Sequence, residues 1–353
     1  MKNLFNYIKL YPSFFNWKFF SEGAFFSAWG HTRAPFSVNF QITDKCNLKC
    51  KACSFFGSGE RPSSCANEAD LESIRNFLLS ISKYKPAVSF GGGEPFARGD
   101  FLEILKTAKK ECGLKTIVIT NGTLLGDETI NIISGSKLTD YLVISLYNLY
   151  EKHDEIVGVK GAFEKTLGNI RKLVKLRGVE LIVSTVLMEE NARDLERFAG
   201  FFLNEGVKKI KIEHQNFITE KEHEAFNGSA VFCPGTFIKK GRFDEQFIKE
   251  AWDVLGRIRK AYPSVFVKPP LSRKEFYGWY GADPAAAGKC HFIKHSFFIS
   301  PRGLIIPCQY FNNCVLGQIG RDDPIRLWNS MNYRKAREII ERGSFAMCSR
   351  CCK

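Results

Sequence analysis

Short apolar runs alternate with longer amphipathic stretches through residues 36–214. Ser37–Thr43, Ala87–Phe90, Thr116–Thr120, Tyr141–Leu146, Glu180–Leu187 and Lys208–Glu213 are rich in β-branched and apolar residues, and each reads as a strand. Between them, Leu71–Lys83, Phe101–Glu111, Asp127–Ser134, Ala162–Leu176 and Ala192–Asn204 carry apolar residues at helical spacing. Strand ends coincide with turn signals, as at Gly91 and at Asn121-Gly122. Six β-α units with short connections predict a parallel sheet covered by helices. Six are too few for a closed eight-stranded barrel. The expected fold is therefore α/β, an open, partial (β/α)6 TIM-like barrel. In such folds the loops that follow the strands gather at one end and carry the chemistry.

The pattern changes on either side of this core. Residues 1–35 form an aromatic and basic segment, in which Phe5, Tyr7, Phe14, Phe15, Trp17, Phe19 and Phe20 are interleaved with Lys2, Lys9 and Lys18. Pro12 breaks any single helix here, and two readings fit: an interfacial segment at an anionic membrane surface, or extra core packed on the body of the protein. Residues 215–289 read as a less regular linker region, helical over Asp244–Ala261 and rich in Pro, Gly and aromatics over Lys268–Gly288. Residues 290–353 read as a small C-terminal domain. Phe297–Ser300 and Leu304–Pro307 form a hairpin turning at Pro301-Arg302-Gly303, and Pro324–Glu341 a helix.

The chain has 353 residues, 44% hydrophobic and 25% charged, which excludes disordered, collagen-like and polytopic membrane classes. No uncharged apolar run is long enough to span a membrane. Lys2, Lys9, Lys18 and Glu22 interrupt any signal-peptide core. The net charge of +14 favours acidic partners: a phosphorylated metabolite, a nucleic acid, an acidic peptide or an anionic surface. The 12 cysteines are clustered, in a chain long enough to build a core without disulfides. They read as metal sites in a reducing cytoplasm.

Cys46, Cys50 and Cys53 form a C-x3-C-x2-C run just after the first strand. Three thiolates so close can wrap one centre, and soft sulfur selects zinc or iron–sulfur. Three protein ligands leave one iron of a 4Fe–4S cube open, whereas structural zinc usually shows paired C-x2-C knuckles, absent near this run. The second strand leads into Gly92-Gly93-Glu94-Pro95. Glycines allow close backbone approach to a ligand, and a glutamate can accept from an ammonium group. At the C-terminus, Cys290-x12-Gly303-x4-Cys308 and Cys348-x2-Cys351 can close around one centre. Taken alone, this pattern fits a zinc ribbon as well as an iron–sulfur site.

Together these motifs resemble the radical S-adenosylmethionine (radical SAM) superfamily over residues 40–213. The C-terminal pattern resembles the SPASM or Twitch auxiliary-cluster extension of that superfamily. The resemblance implies that Cys46, Cys50 and Cys53 hold a 4Fe–4S cluster whose open iron binds S-adenosylmethionine. It implies that Gly92, Gly93, Glu94 and Pro95 (the GGEP motif), with Asn121 and Ser145, contact that cofactor. It makes Cys290, Cys308, Cys348 and Cys351 the preferred ligands of one auxiliary 4Fe–4S cluster, with Cys314 and Cys352 as substitutes. Cys65, Cys112 and Cys233 are left as free thiols. His153-Asp154 resembles a further family element. Two departures from the pattern are Ala52, where an aromatic is usual, and Val157, where an arginine is often found.

The implied activity is reductive cleavage of S-adenosylmethionine to a 5′-deoxyadenosyl radical, which takes a hydrogen atom from an unactivated C–H bond. The auxiliary cluster then aids an oxidoreductase-type outcome or anchors substrate. An electron donor such as flavodoxin or ferredoxin is the implied partner. The basic charge suits a phosphorylated or nucleotide-linked sugar, and the aromatic N-terminus a lipid-linked one with peripheral membrane contact. The alternative is a peptide substrate, for which 45 residues before Cys46 are short of the leader-binding domain such relatives often carry. A non-catalytic iron–sulfur electron carrier or nucleic-acid-binding protein is the remaining class, and GGEP following the cysteine run argues against it.

Overall fold

The computed structural model describes residues 34–51, 67–220, 243–281 and 292–342, together with Thr32, Cys53, Glu222, Ile238–Lys239, Cys290 and residues 345–351. The aromatic residues named above in the N-terminal segment lie outside these, as do Ala52, Cys65, Cys233 and Cys352.

Strands β1 (Ser37–Thr43), β2 (Ala87–Gly92), β3 (Lys115–Thr120), β4 (Tyr141–Ser145), β5 (Glu180–Leu187) and β6 (Lys209–His214) lie side by side in chain order, all parallel. Helices α1 (Leu71–Ser82), α2 (Phe101–Lys106), α3 (Asp127–Gly135), α4 (Tyr150–Val157), α5 (Ala162–Leu173) and α6 (Leu195–Asn204) connect them. The two-residue strands β7 (Phe217–Ile218) and β8 (Ile238–Lys239) pair with each other. Helix α7 (Glu245–Ala261), strand β9 (Val265–Lys268) and helix α8 (Arg273–Tyr280) follow. The C-terminal part holds β10 (Ser296–Ile299), β11 (Leu304–Ile306), β12 (Gly317–Gln318), α9 (Pro324–Trp328) and α10 (Met331–Arg342).

The main sheet runs β12-β11-β10-β1-β2-β3-β4-β5-β6-β9. The six expected strands are thus extended by a parallel strand at each edge, β9 beside β6 and β10 beside β1. The expected hairpin is β10–β11, and it is antiparallel. It continues the barrel sheet through β10, so the C-terminal segment is built directly on the core. The sheet is open between β12 and β9, which fits a partial barrel.

Alternation explains how the strands are covered. Val38, Phe40 and Ile42 are buried, while Ser37, Asn39 and Gln41 between them are half-buried. The buried set packs with Ile74, Phe77 and Leu78 of α1 in the main core. Phe40 lies 6.2 Å from both Phe77 and Phe90. Each fully buried side chain of this size contributes about 1.5–3 kcal/mol. On the opposite face Ile117, Tyr141, Val143, Ile182 and Phe266 make a separate apolar floor. Beyond that floor, toward the C-terminal strand ends, this face carries Gln41, Ser145, Ser184, Lys211 and Glu213, with Ile119 exposed among them. The barrel mouth is therefore polar.

Three elements lie beyond the sequence pattern. Helix α4 has no side-chain cap at its start and ends at Gly158 in the left-handed region. Helix α8 lies within the Pro-, Gly- and aromatic-rich stretch and is started by a capping box of Ser272 and Glu275. Strand β9 has only four residues. Among the described residues, no helix is long and apolar enough to cross a membrane.

Candidate active site

The loop bearing Cys46, Cys50 and Cys53 leaves β1 and is strapped down at several points. The Lys49 and Lys51 N–H groups donate to the carbonyls of Val157 and Ile156 at the end of α4, at 2.8 and 2.9 Å. Leu48 is buried against Val157 and Ala162, and Cys46, Cys50 and Tyr147 pack on this cluster. Alternation along 48–51 turns Leu48 inward and leaves Lys49 and Lys51 exposed, while Cys50 is half-buried.

The GGEP segment meets the same loop through its backbone. Gly93 N–H donates to the Thr43 carbonyl at 2.8 Å and Glu94 N–H to the Lys45 carbonyl at 2.6 Å. Gly92 has φ +115°, and a Cβ there would lie 2.5 Å from the Thr43 oxygen. A Cβ on Gly93 would lie 2.1 Å from the Lys45 oxygen, one residue before Cys46. Neither position has room for a side chain. Gly93→Ala is expected to push the cysteine loop outward, cost about 1–3 kcal/mol as overpacking does, and lower the iron retained at the first site. Iron content together with a urea midpoint checks this. An unchanged value of both would show that the loop does not depend on this contact.

Glu94 is fully buried. Its Oε1 accepts from Thr120 Oγ1 at 2.7 Å and from Phe96 N–H at 3.2 Å, and its Oε2 accepts from Asn121 N–H at 2.7 Å. Burial pushes the carboxyl up to about 7, against these three donors. The carboxylate thus ties the end of β2 to the end of β3, and the surface of the motif is made by glycine backbone. Pro95 is buried behind it. Asn121 is also a brace: its Nδ2 donates to Asn47 Oδ1 at 2.9 Å, inside the cysteine run, and its Oδ1 accepts from Thr123. Asn47 in turn donates to Thr123 Oγ1 at 2.7 Å. Arg98, buried, donates to the Ile42 carbonyl at the end of β1. Ser145 is half-buried at the end of β4, in register with Ser184 of β5.

Tyr147 packs near Cys46 and Cys50. Burial raises its hydroxyl pKa well above the ordinary tyrosine value, and the nearby thiolates of Cys50, Cys53 and Cys46 raise it further. Its N–H donates to His153 Nδ1 at 3.1 Å. Burial lowers the His153 pKa to about 4, so the ring is neutral at pH 7 and free to accept. Asp154 accepts from Phe163 N–H at 2.8 Å and fixes the turn after α4. The cysteines and GGEP, located by spacing, and Asn121 and Ser145, implied by the family resemblance, all lie at the C-terminal ends of strands. The braces Asn47, Thr123, Arg98 and Tyr147 carry no sequence signal beyond lying near the motifs.

Cys290, Cys308, Cys348 and Cys351 are also neighbours. Burial raises the Cys308 thiol well above its ordinary value, with Cys351, Cys290 and Cys348 adding to it. Cys348 is pushed up to about 12 by burial and by Cys351 and Cys290. Burial raises the Cys314 thiol too, and Cys314 packs against the same core as these four. Tyr333 is fully buried, its hydroxyl lacks a hydrogen-bond partner among the described residues, and Arg337, Cys314 and Cys308 are its electrostatic neighbours. Cys112 is a buried core thiol. Among the described residues, no three His, Cys, Asp or Glu side chains converge on one ion position as placed. The donor chemistry nonetheless fits an iron–sulfur core. Thiols that raise one another's pKa are a set that a cationic core neutralises, with release of protons.

The family model for the radical SAM superfamily matches residues 40–202, and that for the SPASM iron–sulfur cluster-binding domain matches 290–352. The chain belongs to the radical SAM superfamily. As a radical SAM protein with a SPASM domain it uses 4Fe–4S clusters and S-adenosylmethionine. It is 29% identical over 167 residues to an AdoMet-dependent heme synthase of Methanosarcina barkeri, covering 47% of this chain and 46% of that protein. It is 26% identical over 298 residues to the antilisterial bacteriocin subtilosin biosynthesis protein AlbA of Bacillus subtilis, covering 84% and 60%. It is 28% identical over 281 residues to the PqqA peptide cyclase of Ruegeria pomeroyi, covering 78% and 68%. The structure of Streptococcus suis SuiB bound to S-adenosylmethionine superimposes with a TM-score of 0.63 at 17% identity, over 91% of this chain and 73% of that one. That likeness shows the fold. The chain spans about half the length of the curated relatives it matches.

Proposed function

We propose that this chain is a peptide-modifying radical SAM enzyme. One observation carries the reading. The alignments that run well beyond the radical SAM core, over 84% and 78% of the chain, are to a bacteriocin biosynthesis protein and a peptide cyclase. The alignment to the heme synthase is about as long as the core itself. This support displaces the expected sugar or other small molecule in favour of the peptide alternative.

In this reading Cys46, Cys50 and Cys53 hold the cluster that binds S-adenosylmethionine, and Cys290, Cys308, Cys348 and Cys351 hold the auxiliary one. The bound groups supply hydrogen-atom abstraction from an unactivated C–H bond. The chain's own residues shape the place where this happens. Gly92 and Gly93, having no side chains, let the backbone of the motif pack directly against the cysteine loop. Glu94 and Asn121 hold that loop to the ends of β2 and β3. Tyr147 packs beside Cys46 and Cys50 on the Leu48, Val157 and Ala162 cluster. Ser145 and Ser184 offer hydroxyls on the inner wall. Electrons come from a flavodoxin- or ferredoxin-type donor.

The test is anaerobic incubation of reconstituted enzyme with S-adenosylmethionine, reductant and a library of synthetic short peptides. The expected result is 5′-deoxyadenosine formed in step with a mass change in one peptide. Cofactor cleavage that responds to a sugar or tetrapyrrole fraction, with every peptide unchanged, would overturn the peptide reading.

A further inference from the structure

Arg350 stands between Cys348 and Cys351 in the chain, and its side chain is completely buried. Its Nη1 donates to both oxygens of Glu222, at 2.7 and 2.8 Å. Its Nε donates to the Trp279 carbonyl at the end of α8 at 2.7 Å, and its Nη2 to the Gly281 carbonyl at 3.4 Å. The guanidinium lies over the Phe217 ring, 4.4 Å from its centre. Glu222 is mostly buried too, and also accepts from Thr219 N–H at 2.7 Å. Three parts of the molecule therefore meet at one charged pair: the segment after β6, the end of α8 and the C-terminal cysteine knuckle. A second contact runs alongside, where Asn216 Nδ2 donates to the hydroxyl of Tyr310, two residues after Cys308, at 2.7 Å.

A buried ion pair is a poor device for stability, because an apolar pair of the same volume often does as well or better. Its placement points to another use. The potential of an iron–sulfur centre follows the net charge around it, and charges in a low-dielectric site are weakly screened. We infer that the Arg350–Glu222 pair sets the reduction potential of the C-terminal iron–sulfur centre while fixing that centre to the segment that leaves the barrel mouth. This rests on the reading that Cys290, Cys308, Cys348 and Cys351 hold that centre. Arg350 adjoins Cys351 in the chain and lies two residues from Cys348, and Glu222 cancels its charge. Each partner then has an effect of opposite sign. Without Arg350, the Glu222 carboxylate is left uncompensated and disfavours the reduced, more negative centre. Without the Glu222 charge, Arg350 favours it.

The experiment uses the full chain with Cys46, Cys50 and Cys53 replaced by Ala, so that only the C-terminal centre carries iron. Midpoints are read at pH 8 by redox titration followed by electron paramagnetic resonance. Relative to this parent, Arg350→Gln is expected to lower the midpoint, Glu222→Gln to raise it, and the double variant to return toward the parent. Arg350→Lys keeps the charge and is expected to stay near the parent, which decides the matter if Arg350→Gln loses its iron. Shifts of the same sign in both single variants, no shift in either, or an Arg350→Lys midpoint far from the parent would overturn the inference. No peptide enters the experiment, so the result is independent of the proposed substrate. A parent chain holding no iron would overturn the inference together with the ligand assignment beneath it.

Discussion

Cys50→Ala is expected to abolish 5′-deoxyadenosine production outright. Iron after anaerobic reconstitution should fall from about eight per chain to about four, the content of one 4Fe–4S centre. Two thiolates hold a cube poorly, and the missing sulfur comes from the middle of the run. The geometry also says why this is a ligand effect and not an unfolding effect. The loop is fastened by the Lys49 and Lys51 N–H groups to α4, by Leu48 against Val157, and by Asn47 to Asn121 and Thr123. None of these contacts uses the Cys50 sulfur. The melting temperature of the iron-free variant should therefore match that of the iron-free parent within a few degrees, since about 1 kcal/mol moves a domain this large by about 2–4 °C. Anaerobic chromatography for 5′-deoxyadenosine is the readout. Persisting cleavage would mean that these three cysteines do not hold the cofactor-binding cluster.

Much of the core was legible because its signals are local. The alternation in Ser37–Thr43 put Val38, Phe40 and Ile42 on one face, and the structure buries those three against α1. The C-x3-C-x2-C and GGEP spacings placed two segments at strand ends, and the fold brings them within hydrogen-bond distance at Thr43 and Lys45. Helix α4 was missed because Tyr150-Glu-Lys-His-Asp-Glu has no apolar stripe. It is buried through His153, Ile156 and Val157, and His153 qualifies only because burial keeps it neutral. Pairing between distant strands left no local trace. The β10 hairpin could be read from its turn, but its place beside β1 joins residues 259 apart, as at Ser37 and Ser296. The same limit applies to the site. Glu94 read as an acceptor for a ligand's ammonium group, and its three protein donors, from Thr120, Asn121 and Phe96, left no trace in the sequence. Arg350 and Glu222 are 128 residues apart and carry no motif, so only the folded chain shows them as a pair.

His214 gives the largest expected pH effect on stability. It closes β6, is almost completely buried, and sits among Phe276, Trp279 and Tyr280 of α8. Its Nε2 lies 3.1 Å from the Pro269 carbonyl, which can only accept, so this nitrogen carries the proton. Its Nδ1, 3.1 Å from the Tyr280 hydroxyl, is then the acceptor. Both nitrogens are satisfied by a neutral ring, and burial lowers the pKa from its ordinary value of 6.5 to about 3. The unfolded chain takes up this proton as pH falls through about 6.5, and the folded chain does so only near 3. Stability held above pH 6.5 is therefore lost across that window, by up to roughly 5 kcal/mol at about 1.4 kcal/mol per pKa unit. His153, lowered to about 4, adds in the same direction. Glu94 opposes both, because its pKa is raised to about 7 and its contribution is lost as pH rises through that value. The decisive comparison is accordingly between wild type and His214→Gln, which keeps a donor and an acceptor but does not titrate. Urea midpoints at pH 7 and pH 4.5 should show a much smaller acid loss in the variant, by on the order of 2–3 kcal/mol. Equal acid losses in the two proteins would mean that His214 is not held neutral by the fold.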